Sequence, residues 1–259
     1  MRTVNPMRSS ALPPVPPVPP TSADRRTLGE ETFLVLMLSL LSSAVFAIIS
    51  LRSGPVSGVQ VPVGDQSTAF YRQVIDFIFA LAPALLVLHL ARRGEGGLAS
   101  VGMDGGQRGR DAARAVVLFV VVAIFGLAIY LLFVALHLNR FVVPVPPTGH
   151  WWTVPALFLN AISAGVVEEV IVLGYLITRL QQLRLSPLWA VAAPALLRGT
   201  YHLYQGWGGF VGNLLMGVFF GALFLRWRRT WPFVLAHILL DVGAGLGYLL
   251  LRNHLPGFG

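Results

Sequence analysis

Residues 163–176 read SAGVVEEVIVLGYL, two adjacent glutamates inside a run that is otherwise apolar or small from about 152 to 177. A run of that length crosses a bilayer as helix, which takes ~20 residues. Each charged group within it costs ~2.5–3.5 kcal/mol on insertion scales. The same conflict recurs twice downstream. Arg198 and His202 lie in LLRGTYHLYQG (196–206), and His237 and Asp241 lie in AHILLD (236–241), both in apolar surroundings. Asp76 sits nearer a segment end. Polar groups retained at this cost mark a water-filled cavity enclosed by helices.

The whole chain agrees with a membrane setting. It is 55% hydrophobic and 12% charged, with a mean hydropathy of +0.71, which excludes an ordinary soluble domain. The apolar runs are long and continuous, unlike the short alternating strands of a transmembrane barrel. The expected fold is all-α, a polytopic bundle of about seven transmembrane helices near 33–51, 70–91, 115–138, 152–177, 188–205, 208–225 and 231–251. Residues 1–31 form a disordered, Pro-rich cytoplasmic tail, since PPVPPVPP at 13–20 is a polyproline II tract with nothing to build a core. N-terminal helices occupy 32–148, a core bearing the intramembrane polar groups occupies 149–252, and 253–259 is a short tail. Pro144, Pro146 and Pro147 stiffen an external segment.

The net charge of +8 comes from 19 arginines, with no lysine. They cluster in loops, where they orient the chain and meet anionic lipid, so no nucleic-acid partner is read. Arg2, Arg8, Arg25, Arg26, Arg92, Arg93, Arg108, Arg110, Arg114, Arg179, Arg184, Arg226, Arg228 and Arg229 fall on one side, against Arg52, Arg72, Arg140 and Arg252 on the other. The positive-inside rule then places the N-terminus in the cytoplasm of what is read as a bacterial plasma-membrane protein. Trp151, Trp152, Trp207, Trp227 and Trp231 stand at span ends as interfacial aromatics, and Tyr201, Tyr204 and Gln205 are read the same way. Gly217/Gly221 and Gly243/Gly247 have the spacing of close helix contacts.

Three pairs carry the candidate chemistry. Adjacent glutamates on a helix point ~100° apart, so one faces a cavity while the other faces a neighbouring helix. Two such carboxylates do not both ionise easily in a low dielectric. A carboxylate of this kind suits a general base that activates water, and a structural pair bridging helices is the alternative. Arg198 and His202 share a helical face. His237 and Asp241 are four apart, so the aspartate orients the ring, raises its basicity or shares a metal. Zero cysteines exclude a thiolate nucleophile or thiolate metal site.

A glutamate pair, then a histidine closing a four-residue spacing on a later helix, then HxxxD on the last, resembles the CPBP or Abi family. That family includes CAAX prenyl endopeptidases and bacteriocin-immunity proteins, and the resemblance covers about 150–250. It implies an intramembrane endopeptidase acting on a peptide or protein substrate. Glu168 would be the general base, His202 would help hold the water, and His237 with Asp241 would stabilise the oxyanion. Three departures stand out. The family's EExxxR motif has Leu173 in the arginine position, its FxxxH motif has Arg198 in place of Phe, and many members carry Asn where this chain has Asp241. Arg198 would replace the missing arginine from the neighbouring helix and pair with Glu169. No cofactor is required in the favoured reading. A zinc reading stays open, with Glu168, His202 and His237 as ligands and Asp241 beside them. A proton-coupled transporter and a catalytically inactive scaffold are the alternative functions.

One geometric condition remains. Straight helices over these spans put Glu168, His202 and His237 at depths differing by more than about 10 Å. Their convergence requires tilt, a break near the glycines, or a span that begins elsewhere.

Overall fold

The computed structural model describes residues 22–51, 66–139 and 149–251. The polyproline tract, Pro144 to Pro147 and the C-terminal tail lie outside them. The described residues form ten α-helices: α1 (Ser22–Met37), α2 (Leu40–Ser50), α3 (Gln66–Ala80), α4 (Ala82–Arg93), α5 (Arg108–Ala135), α6 (Thr153–Glu169), α7 (Thr178–Gln182), α8 (Pro187–Tyr201), α9 (Trp207–Trp227) and α10 (Trp231–Leu251). Short 3-10 turns cover Gly97–Val101 and Leu203–Gln205. A π-helical stretch, Val170–Ile177, joins α6 to α7, so one unbroken helix runs from Thr153 to Gln182.

The helices turn apolar side chains outward, as lipid-facing surfaces do. Along α5, Val116, Val117, Ile124, Phe125, Leu127 and Leu131 are exposed. Among the described residues, five helices are long and apolar enough to cross a membrane: Thr68–Arg93, Arg108–Ala135, Thr153–Gln182, Trp207–Trp227 and Trp231–Leu251. Two expected spans differ. The first is broken, with Asp24–Met37 and Leu40–Ser50 meeting at 53°, and counts as a sixth span only if the bent pair is taken together. The fifth, expected over 188–205, is a helix of 15 residues, Pro187–Tyr201, or ~22 Å, short of the ~30 Å hydrocarbon core. Residues 22–31, placed in the disordered tail by composition, are helical. Arg26 pairs with Glu30 one turn on, and Glu31 reaches across the fold to Arg179 (2.6 Å) and the hydroxyl of Tyr175 (2.9 Å). A charged segment takes helical order when long-range partners hold it.

Small residues set the closest contacts. α9 lies against α8 through Gly217 on Ala195 and Gly221 on Val191. The Gly243/Gly247 pair is not such a face, because Gly247 has open space around it, whereas Gly245 packs on Leu157. Trp152 is buried and stacks on His150 instead of lying at the interface.

The arginine-rich loops meet at one end of the bundle. Arg229 is buried there and donates to the carboxylate of Asp104, to the Asp104 carbonyl (2.7 Å) and to Asp111 (2.5 Å). Next to it, Thr230 donates from its hydroxyl to the Val101 carbonyl (2.6 Å) and from its amide to Gly102 (2.9 Å). The same Thr230 hydroxyl lies against Gly174 in the π stretch. α10 therefore starts deep in the bundle, level with Gly174 rather than with the end of α7. This recess answers the depth condition. Five residues separate Gly174 from Glu169 and seven separate Thr230 from His237, climbs of ~7 and ~10 Å that end at similar heights. Glu168 lies fourteen residues before Gln182, and Tyr201 lies fourteen after Pro187. The antiparallel turn between α7 and α8 thus sets Glu168 opposite Tyr201.

Gly102 makes the recess sterically feasible. Its φ is +69°, and a Cβ there would sit 2.7 Å from the Thr230 amide nitrogen and 3.0 Å from the Arg228 carbonyl oxygen. Gly102→Ala should lower stability by ~2–4 kcal/mol through clash and left-handed strain combined. Gly97→Ala, also at positive φ (+56°) but with open space around it, should cost only ~1–2 kcal/mol. Thermal unfolding in detergent checks the order. Asp104 is held below the usual carboxylate range, first by the Gly106 amide and then by Arg229. Its contribution is thus present above the unfolded value of ~3.9 and is lost only as pH falls through the lower folded value. Asp104→Asn should lower the unfolding midpoint at neutral pH and flatten its decline on acidification, read from midpoints measured between about pH 7 and 3.

Candidate active site

Glu168 and Glu169 end α6 where the helix widens into its π stretch, a distortion frequent at functional sites. All eight residues from Val170 to Ile177 are buried, which closes the arginine-rich side of the cluster. Arg198 and Tyr201 come from the last turn of α8, His202 caps it, and His237 and Asp241 come from α10. All six residues singled out in the sequence converge here.

The centre is buried and built round one ion pair. Glu169 and Arg198 have no exposed surface, and Arg198 Nη1 donates to Glu169 Oε1 at 2.7 Å. The pairing expected between neighbouring helices is therefore present, with Arg198 entering from α8 while Leu173, also fully buried, lies in the π stretch. His237 Nδ1 stands 2.7 Å from the same Oε1. A carboxylate oxygen only accepts, so Nδ1 carries the proton and Nε2 faces away from Glu169. Arg198 Nη2, 3.3 Å from Nδ1 and 3.6 Å from Glu168 Oε2, adds positive charge to both. Phe220 from α9 lies 5.9 Å below the guanidinium, and Gly217 on the same helix packs along the arginine stem. The ring of His237 is thus oriented by Glu169. Asp241, expected to orient it, has Oδ2 3.6 Å from Nε2, beyond hydrogen-bond length, and is 40% exposed.

Glu168 sits at the edge of this centre, its side chain 16% exposed. The hydroxyl of Tyr201 donates to Oε2 at 2.7 Å, and among the described residues no hydrogen bond reaches Oε1. Tyr201 is buried, not the interfacial anchor that its sequence position suggested. Its i,i+3 spacing from Arg198 was the available signal, since both then face the glutamates. His202 donates from Nδ1 to the Arg198 carbonyl (3.0 Å), which leaves Nε2 as the ring's acceptor. Its ring lies 4.7 Å from that of Tyr201, and the charge of Glu168 acts on both His202 and His237. Tyr204 and Gln205 remain at the exposed end of the turn, hydrogen-bonded to each other.

Nδ1 of both histidines is taken, by Glu169 in one case and by the Arg198 carbonyl in the other, which leaves Nε2 as the reactive nitrogen of each ring. Among the described residues no group of three or more His, Cys, Asp or Glu is arranged to hold a metal ion.

A comparison with known families finds a likeness over the part of the chain that holds this cluster. Residues 150–243 match the Rce1-like family, described as type II CAAX prenyl endopeptidase Rce1-like. The matched region contains every residue of the cluster, from Glu168 to Asp241, and agrees with the CPBP/CAAX resemblance read from the sequence. With the lipid-facing helices, the Rce1-like match supports an integral membrane protein and, at the level of class, an intramembrane protease acting on a peptide or protein substrate. No curated protein and no solved structure matches the chain.

Removing one member of a buried ion pair strands the other charge, at a cost of ~3–5 kcal/mol. Arg198→Leu should therefore destabilise the protein by about that much, seen as a lower unfolding midpoint in detergent. Leu173→Arg combined with Arg198→Phe should recover most of the loss by returning a guanidinium to Glu169 from its own helix. A double variant no more stable than Arg198→Leu would show that the two positions are not interchangeable.

Proposed function

We propose that this chain is an intramembrane endopeptidase in which Glu168 activates water. The observation that carries the proposal is the unequal placement of the two glutamates. Glu169 is sealed and committed to Arg198 and His237, whereas Glu168 is anchored through Oε2 and keeps Oε1 at the accessible edge. A general base needs an unoccupied acceptor within reach of water and a fixed orientation, and only Glu168 has both.

In this scheme Glu168 Oε1 takes a proton from water, and the resulting hydroxide attacks the scissile carbonyl carbon. His202 Nε2, the ring's acceptor, holds the second hydrogen of that water. His237, with Nδ1 fixed by Glu169, donates from Nε2 to the developing oxyanion when both ring nitrogens carry protons, and Asp241 at 3.6 Å favours that form. Arg198 supplies fixed positive charge beside the tetrahedral intermediate, in surroundings where such charge acts strongly. The proton on Glu168 then passes to the leaving amine as the C–N bond breaks. Tyr201 fixes the carboxylate plane throughout. No step runs through a metal. The substrate is a peptide bond at or within the bilayer. Prenylated C-terminal tails are the class named by the matched family, and with the arginine-rich loops cytoplasmic the N-terminus lies in the cytoplasm.

Reconstituted protein and a library of membrane-anchored peptides, prenylated and not, test the scheme. Glu168→Gln should lower kcat by ~10²–10⁴-fold. Tyr201→Phe should lower kcat by about ten- to a hundredfold with KM nearly unchanged, as expected for loss of one hydrogen bond to a charged group. A chelator should leave the wild-type rate unchanged. Cleavage by Glu168→Gln at the wild-type rate would remove Glu168 from the base role.

A further inference from the structure

We propose that a separate cavity at the arginine-rich end binds the phosphate of an anionic phospholipid headgroup. The cavity measures about 470 Å³, in the range of small-ligand sites, and opens between α1, α4, the 3-10 turn and α7. Its lining mixes two chemistries: Leu28, Leu90 and Val101 are apolar, and Arg179, Gln182 and Arg184 are polar.

The polar residues hold donors whose neighbouring acceptors are already used. Gln181 Oε1 accepts from Arg228 (2.6 Å) and Gln182 Oε1 accepts from Arg179 (2.8 Å). An arginine only donates, so the assignment of both amides is fixed and each keeps its NH2 as a remaining donor. Arg179 is held by Glu31 as well, and its buried Nε has no acceptor among the described residues. Among the described residues Arg184 forms no ion pair, and Glu95, which is exposed, is the one carboxylate in the lining. An added oxyanion supplies the acceptors that this donor set lacks.

Backbone conformation gives a second, independent observation. Arg184 occupies the left-handed region, φ +68°, at the end of α7, and Arg228 does the same, φ +53°, at the end of α9. Glycine fills such positions without strain. Of the two, Arg184 lines the cavity, and an arginine kept there in spite of the strain is the pattern expected where side-chain chemistry outweighs backbone ease. The mixed lining, and the exposed Phe33 and Leu34 on the helix that supplies Leu28 to it, favour a lipid over free phosphate. Basic pockets between membrane helices bind such headgroups.

The full chain in nanodiscs tests this, with phosphatidylglycerol titrated into a phosphatidylcholine bilayer and retained lipid counted by native mass spectrometry. Wild type should retain phosphatidylglycerol over phosphatidylcholine. Arg184→Gln, which keeps the backbone strain, should weaken that preference by about fivefold, and Glu95→Gln should strengthen it. Arg184→Gly should raise the unfolding midpoint in pure phosphatidylcholine yet lose the preference, which separates strain from binding. Equal retention of both lipids, or an Arg184→Gln variant equal to wild type, overturns the site. Glycerol phosphate binding as tightly as phosphatidylglycerol overturns the lipid as its occupant.

Discussion

A guanidinium with no exposed surface, midway through a lipid-facing bundle, is tolerable only against a carboxylate. Arg198 meets that condition on Glu169, and much of the core follows from it. α8 must lie close enough to α6 to deliver the arginine, which the glycines of α9 permit by letting α9 pack directly behind α8. Glu169 also fixes the ring of His237. Glu168, one residue earlier and rotated away, accepts from Tyr201 on one oxygen and, among the described residues, has no hydrogen bond on the other. The asymmetry between two chemically identical neighbours is produced by one ion pair.

The second constraint acts at the arginine-rich end. Arg229, gripped by Asp104 and Asp111, pulls the α9–α10 connection into the bundle until Thr230 rests on Val101, Gly102 and Gly174. Only from that recessed start does His237 rise to the level of the glutamates. The loop after α4 is thus part of the apparatus that sets the depth of α10, although none of its residues approaches the cluster.

Membrane character and the six clustered residues were legible in the sequence, because charge inside an apolar run is costly and therefore conspicuous. The pairing of Arg198 with Glu169 was legible for the same reason, since an intramembrane arginine demands an anion. Tyr201 was not, because a tyrosine near a span end is ordinary at an interface and only packing reveals that its hydroxyl points inward. The recess of α10 was hidden too. It depends on contacts between residues more than a hundred positions apart, such as Thr230 with Val101, which no local pattern encodes. The break in the first span and the shortness of the fifth were obscured because hydropathy reports composition along a segment and not where the helix bends or stops.

The π stretch from Val170 to Ile177 ties two distant parts of one helix to a common phase. Upstream are the glutamates, and downstream are Thr178 and Arg179, which meet the 3-10 turn and α1. Loss of a single residue within those eight, with the winding of the rest unchanged, would turn one half against the other by roughly a quarter of a turn. Either the carboxylates would leave Arg198 or Arg179 would leave Glu31. The permitted length of this segment is therefore set from both directions, and insertions or deletions there would be tolerated far less than substitutions of similar volume.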